Sequence, residues 1–263
     1  MTKRHGMSAS PAAGAFVFTL SRLYYDRHEY MKIALLDRLM SDIAKRIPVA
    51  CVTWLGSGRQ QLVYRSDQIE DGVLAQAIDA GFKTDRSQTI QLKDEDVFIK
   101  VYNPPLRMVI IGAVHIAQAL IPIAKQANYD IIVVDPRTAF ASEQRFAGVP
   151  RDTRWPDEAL ADMVLDTRVA LVALTHDPKI DDPALQIALK SDAFYIGALG
   201  SRRTHKTRME RLTSADFSLN ELERIHAPIG ADIGAIGPAE IAISIMAEVT
   251  ATLRGKFNNG AAG

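Results

Sequence analysis

The sequence is poor in the features that mark several large protein classes. It has one cysteine, Cys51, in 263 residues. A lone thiol excludes an internal disulfide and a cysteine-rich zinc site, and it fits a reducing cytoplasm. Charge of either sign is not in excess, because 31 Lys and Arg meet 31 Asp and Glu. Such a chain sets up no bulk field for nucleic acid or an anionic membrane, so any anion site must be local. No apolar run reaches the roughly 18 residues of a membrane span. Ala13 to Leu20 is too short, and the Arg22 and Asp26 that follow do not suit a signal peptide. The expectation is a soluble, cytoplasmic protein with no nucleic-acid and no membrane partner.

What is present is enough apolar residue, 48%, to bury a full core in one large or two small domains, and two are preferred. Residues 1–14 are small and polar and are expected to be a disordered tail. Glu29 to Arg46 spaces Ile33, Leu36, Leu39, Met40 and Ile43 as one face of an amphipathic helix, which Pro48 stops. Val49 to Leu55 and Gln61 to Tyr64 read as a hairpin about Gly56, Ser57 and Gly58. Asp71 to Ala80 predicts a helix with Gly81 as its C-cap, and Thr89 to Leu92 and Val97 to Tyr102 predict two more strands. Asn103, Pro104 and Pro105 continue neither sheet nor helix and set the boundary. The division expected is a small α+β domain over residues 15–103 and a Rossmann-like domain over residues 106–257.

The second domain opens with the stretch that organises the chain, Arg107 to Arg137. Met108 to Ile111 and Ile131 to Val134 are apolar runs of the kind buried on both faces of a parallel sheet, and a helix lies between them. Further on, Ala141 to Phe146 is a short helix or irregular, and a polar loop follows. Val169 to Thr175 and Ala193 to Leu199 are buried strands, Pro183 to Lys190 is a short helix, and a basic helix follows Gly200. Pro238 opens the last helix, where Ile241, Ile245, Val249 and Leu253 recur every four residues with Glu240 and Glu248 off that stripe. Strands alternating with helices predict an α/β fold, a Rossmann-like doubly wound, mostly parallel sheet. The apolar stripe of the last helix also admits a homodimer.

In such a βαβ unit, glycines let a pyrophosphate approach the helix N-terminus, and an acid about twenty residues on bonds a ribose hydroxyl. Here Gly112 fills the first glycine position and Asp135 the acid position, but Val114 and Ala117 replace the other two glycines. Ligands in these sheets bind beyond the carboxyl ends of the strands. Four of the six histidines, His115, His176, His205 and His226, fall in that zone. The strongest local pattern is Gly197 to Arg203, where a strand ends at Gly200 and a helix begins with Ser201, Arg202 and Arg203. Its amides, hydroxyl and guanidinium groups suit a phosphate, although a glycine turn with solvated arginines would look the same. His176 and Asp177, near Asp181 and Asp182, and His226 with Gly230 and Asp232, pair imidazoles with carboxylates for proton transfer or a metal. No helix carries a paired metal-ligand motif. Cys51 sits in an alternating strand, where a free cysteine is usually a small buried hydrophobe.

At these residues the chain resembles the xanthine dehydrogenase accessory proteins of the XdhC/CoxI family. The elements are GAVHIAQAL (Gly112 to Leu120), VVDPR (Val133 to Arg137), LTHDPKIDDPAL (Leu174 to Leu185), YIGALGSRRTHKTR (Tyr195 to Arg208), HAPIGADIGA (His226 to Ala235) and PAEIAISIMAEV (Pro238 to Val249). The resemblance implies a molybdenum-cofactor chaperone. Such a protein binds molybdopterin or its cytosine dinucleotide, protects it while a cysteine desulfurase supplies the sulfido ligand, and inserts it into an apo-molybdoenzyme of the xanthine or carbon monoxide dehydrogenase type. It implies an anion cradle at Gly200, Ser201, Arg202 and Arg203. His115, His176, Asp177, His226 and Asp232 are then the candidates for the pterin and oxo-metal end, and Gly112, Asp135, Arg137, Gly197 and Gly230 complete the candidate set. Two departures from the family pattern are plain: Val114 replaces the second glycine of a Gly-x-Gly-His loop, and the first domain has no Gly-Gly-Cys segment. The competing function is an NAD(P)-dependent oxidoreductase on the same βαβ unit, with Asp135 on the ribose.

Overall fold

A computed structural model describes residues 31–93 and 95–256. The tail expected over residues 1–14, the stretch from Ala13 to Leu20, the first residues of the predicted Glu29 helix, His5 and His28, and position 257 lie outside the described residues. The chain divides into two compact units, Met1–Pro104 and Pro105–Gly263. Among the described residues no helix is long and apolar enough to cross a membrane.

The first unit holds α1 (Ile33–Ala44), β1 (Val49–Trp54), β2 (Gln60–Tyr64), α2 (Gly72–Thr84), β3 (Gln88–Leu92) and β4 (Glu95–Tyr102). Its four strands form an antiparallel sheet in the order β2-β1-β4-β3. Ala50, Val52, Trp54, Val97 and Ile99 face Leu74, Ile78 and Phe82 of α2 to make its core. Two expectations are corrected here. The spacing of α1 is helical, but of its predicted stripe only Leu39 is buried, and Ile33 is 78% exposed. Asp42 takes an inward place instead, accepting from the Tyr64 hydroxyl at 2.7 Å. Gly81 is not the C-cap of α2, which runs on to Thr84 and ends on Asp85 in the left-handed region. It sits inside the helix because a Cβ there would lie 2.7 Å from Val101 Cγ2, so it is a packing glycine that lets helix and strand close.

The second unit contains β5 (Leu106–Ile111), α3 (His115–Gln126), β6 (Tyr129–Val134), β7 (Arg151–Asp152), α4 (Pro156–Ala161) and β8 (Val169–Ala173). It continues with α5 (Pro178–Leu189), β9 (Tyr195–Ala198), α6 (Arg202–Thr213), α7 (Leu219–Leu222), β10 (Ile225–His226) and α8 (Pro238–Leu253). The six strands are all parallel, in the order β10-β9-β8-β5-β6-β7. Met108 to Ile111 and Val169 to Ala173 have no exposed surface, which is why they read as unbroken apolar runs. One face of the sheet packs on α3 and α8 through Ala117, Leu120, Ile245 and Val249. The other packs on α4 to α7 through Leu160, Ile180, Leu185, Leu212 and Leu222. The α/β doubly wound class is therefore as expected.

Local boundaries shift for physical reasons. Helix α5 starts at Pro178 rather than Pro183, because Asp177 caps it by accepting from the Lys179 amide and Pro178 occupies its first turn. Pro183 is carried inside the helix. The polar loop after Phe146 contains β7 and α4, which are too short to show a period, and Ala141 to Phe146 is irregular. Glu248, off the apolar stripe of α8, is buried, with 4% exposure.

Replacing Gly81 by Val should destabilise the first unit by on the order of 2 kcal/mol, because overpacking against Val101 outweighs the better helix propensity. A urea melt checks this, and an unchanged midpoint would mean that α2 and β4 are not closely packed at that point.

Candidate functional site

The strand order reverses between β5 and β8, from which the chain winds outward in both directions. Loops leaving the carboxyl ends of those two strands flank the crevice where doubly wound sheets place ligands. They meet at Gly112, whose φ is +111° and whose added Cβ would lie 2.5 Å from Thr175 Cγ2. Only glycine meets both conditions. Val114 caps α3 without a side-chain hydrogen bond and packs against the core, while His115 is exposed as the first residue of that helix.

Asp135 follows β6 and is fully buried. Its Oδ1 accepts from the Arg137 amide and Nε, each at 2.9 Å, and its Oδ2 from the Ala113 amide at 2.7 Å and Arg137 Nη2 at 2.8 Å. Burial alone would raise this carboxyl, but the hydrogen bonds from Arg137 and Ala113 outweigh it and hold the group below the usual carboxylate range. With two donors on each oxygen the acceptor sites are filled. Asp135 thus fastens the β5–α3 turn, and Arg137 lies over the Phe140 ring.

After β8, Thr175 donates to the buried Asp181 at 2.7 Å, His176 is exposed with φ of 63°, and Asp177 caps α5. Arg208 reaches back from α6 with its side chain 2% exposed, and its Nη2 donates to the Leu199 carbonyl at 3.0 Å. Its Nη2 also lies 3.6 Å from Asp181 Oδ2, an ion pair too long for a hydrogen bond. Burial pushes Asp181 up, against Thr175 and Arg208, and pulls Arg208 down, against Asp181 and Asp182. Asp182 holds Arg211 through Nε at 2.5 Å and Nη2 at 3.0 Å. Between His176 and the face of α6 that carries Arg203, Thr204, Thr207, Arg208 and Arg211 lies a cavity of about 250 Å³.

At the next strand end Gly200 turns the chain with φ of +147°, and Ser201 caps α6 by accepting from the Thr204 amide at 3.2 Å. Arg202 and Arg203 are exposed. A separate cluster is buried beneath: Glu248 accepts from the Tyr195 hydroxyl at 2.5 Å and the Gly230 amide at 2.7 Å, and its other oxygen lies 3.1 Å from His226 Nδ1. His226 pairs with Gly197 in the β9–β10 ladder, and Asp232 is exposed on the loop that follows.

The predicted residues therefore fall into three groups. Gly112, Asp135 and Arg137 build the β5–α3 turn; His176 and Arg203 line one cavity, with Asp177, Gly200, Ser201 and Arg202 in the adjoining turns. Gly197, His226 and Gly230 belong to the buried Glu248 cluster, and His115 and Asp232 stand apart as exposed residues. Arg208, Arg211 and Glu248 were not singled out from sequence. The arginines had a signal in their spacing, since 204, 207, 208 and 211 recur at three and four along α6. Glu248 had one as an acid set among the apolar residues in the middle of α8. Among the described residues no three His, Cys, Asp or Glu side chains group as a metal site. Cys51 is buried in β1, where burial raises its thiol, so its thiolate is disfavoured.

The model of a family described as the XdhC Rossmann domain matches residues 108–249. A protein of Escherichia coli named molybdenum cofactor insertion chaperone PaoD is 33% identical over 56% of this chain and 40% of its own length. A protein of Bacillus subtilis named as a probable xanthine dehydrogenase component is 29% identical over 60% of this chain and 46% of its own length. The chain thus spans less than half of these relatives. A crystal structure of a protein named xanthine dehydrogenase, from Bacillus halodurans, covers 88% of this chain and 68% of its own, with a TM-score of 0.58 and 21% identity. That likeness is one of fold.

Glu248→Gln should cost about 3 kcal/mol, because it leaves buried donors poorly matched. Burial would raise the Glu248 carboxyl, but bonds from His226, Tyr195 and Gly230 depress it overall. Its contribution is therefore present above the ordinary carboxylate range and lost as pH falls through the depressed folded value. Urea melts at descending pH should show a flatter acid limb in Glu248→Gln, and parallel profiles would contradict the assignment.

Proposed function

The chain belongs to the XdhC family, and on that basis we propose that it is a molybdenum-cofactor-binding accessory protein serving an apo-molybdoenzyme of the xanthine dehydrogenase type. In this role it shields the cofactor, supports its sulfuration by a cysteine desulfurase, and hands it on in the cytoplasm. A homodimer and the division into a small α+β domain, residues 15–103, and a Rossmann-like domain, residues 106–257, form part of the same proposal. The observation that carries it is the cationic cavity beside the Gly200 turn, at the carboxyl edge of the matched domain. The cargo is a pterin with an anionic phosphate or dinucleotide tail, and arginine forks and hydroxyls suit such oxygens.

Gly200, Ser201, Arg202 and Arg203 would receive the tail, and exposed His115, His176 and Asp232 with half-buried Asp177 supply polar groups for the remainder. Asp135 and Arg137 keep the β5–α3 turn in place, and the Glu248 cluster shapes the loop after His226. The filled acceptor sites of Asp135 and the side chain of Val114 tell against the NAD(P) oxidoreductase alternative.

Expressed in a host that makes molybdenum cofactor, the protein should release pterin and molybdenum on denaturation. Arg202→Ala/Arg203→Ala should lower the released pterin at least about tenfold with little change in melting temperature, since exposed arginines contribute little to stability. Full retention would remove the cradle, and release of NAD in place of pterin would overturn the function.

A further inference from the structure

We infer that the cavity between the start of α5 and the exposed face of α6 is a dedicated phosphate subsite, taking a phosphomonoester or pyrophosphate, with the buried Arg208 as its positive back wall. The Gly200 turn alone does not supply this. Positions 203, 204, 207, 208 and 211 put three guanidinium groups and two hydroxyls on one side of α6 across two turns, facing His176.

Arg208 carries the inference. Its side chain is 2% exposed, and its Nε and Nη1 have no hydrogen-bond partner. Buried charged donors left in this state are rare, and a nearby anion offsets them. Asp181 does not fill the role: Thr175 engages its Oδ1, and its Oδ2 stays 3.6 Å away from Arg208. The second carboxylate, Asp182, is taken up by Arg211 in a two-bond fork, which fixes that guanidinium at the cavity wall.

The chemistry favours phosphate over a carboxylate ligand. Three arginines face two carboxylates, so the cluster keeps a positive excess, and Thr204 and Thr207 line it with hydroxyls that here bond locally, to the Ser201 hydroxyl at 3.1 Å and the Arg203 carbonyl at 3.4 Å. A tetrahedral oxyanion uses several donors in different directions, whereas a planar carboxylate saturates with one fork. A volume of about 250 Å³ admits one or two phosphoryl groups and leaves the bulk of a larger ligand outside. The identity of the natural ligand rests on the proposed cofactor role; the phosphate site does not.

The test is calorimetry of the full chain with inorganic pyrophosphate at low salt. Saturable binding is expected, and Thr207→Glu, which puts a carboxylate into the cavity from an exposed position, should weaken it at least about tenfold without shifting the melting temperature. Thr207→Ser should bind as the unmodified chain does. No saturable binding, or binding that survives Thr207→Glu, overturns the subsite. Pterin release from the same preparations separates the two claims. Pyrophosphate bound but no pterin released leaves the subsite standing and removes the cofactor role. Pterin retained by Thr207→Glu after pyrophosphate binding is lost overturns the placement of the cofactor's phosphate here.

Discussion

The second unit depends on one buried carboxylate. Asp135 has no exposed surface, and it ties the end of β6 to the turn after β5 through the Ala113 amide while clamping Arg137. Without that tie, the turn at which the sheet changes direction would present loose amides. With it, Gly112 can lie against Thr175 and bring the β5 and β8 loops together. The ionised form is favoured despite burial, so the fastening is electrostatic as well as geometric. A side chain that in many βαβ units faces a nucleotide ribose is here part of the scaffold.

Around this anchor the charged residues are disposed by depth. Asp135, Asp181 and Arg208 are buried, Asp182 and Arg211 are paired at the margin, and Arg202 and Arg203 are exposed. A neutral chain thereby acquires a local cationic edge without a long-range field. The Glu248 cluster does the corresponding work beneath β9, holding the loop after His226 by its Gly230 amide. The thiol of Cys51 is buried in β1 of the first unit.

How much of this was legible from sequence follows from what each residue depends on. Met108 to Ile111 and Val169 to Ala173 are buried on both faces, so local composition alone revealed the parallel sheet. The Gly200 turn and the start of α8 at Pro238 are local signals too, and both stand where they were read. The strand β7 has two residues and α4 has six, too few for any periodicity to show. Gly81 misled because a glycine near a helix end is commonly a cap, whereas its reason is Val101 on another strand. Tyr195 and Glu248 are 53 residues apart, and nothing in either neighbourhood announces the other. The same holds for Arg208 with Asp181. The candidate site was therefore readable as a zone at the strand ends, while its buried charge pairs needed the fold.

Everything proposed for function turns on whether the carboxyl edge of the second unit receives the molybdenum cofactor. Hydrogen–deuterium exchange of the full chain, with and without isolated cofactor, tests this most directly. Slowed exchange is expected at the amides of 112–115 and 199–208, with the sheet interior unchanged. Protection confined to the first unit, or none at a saturating cofactor concentration, would contradict it.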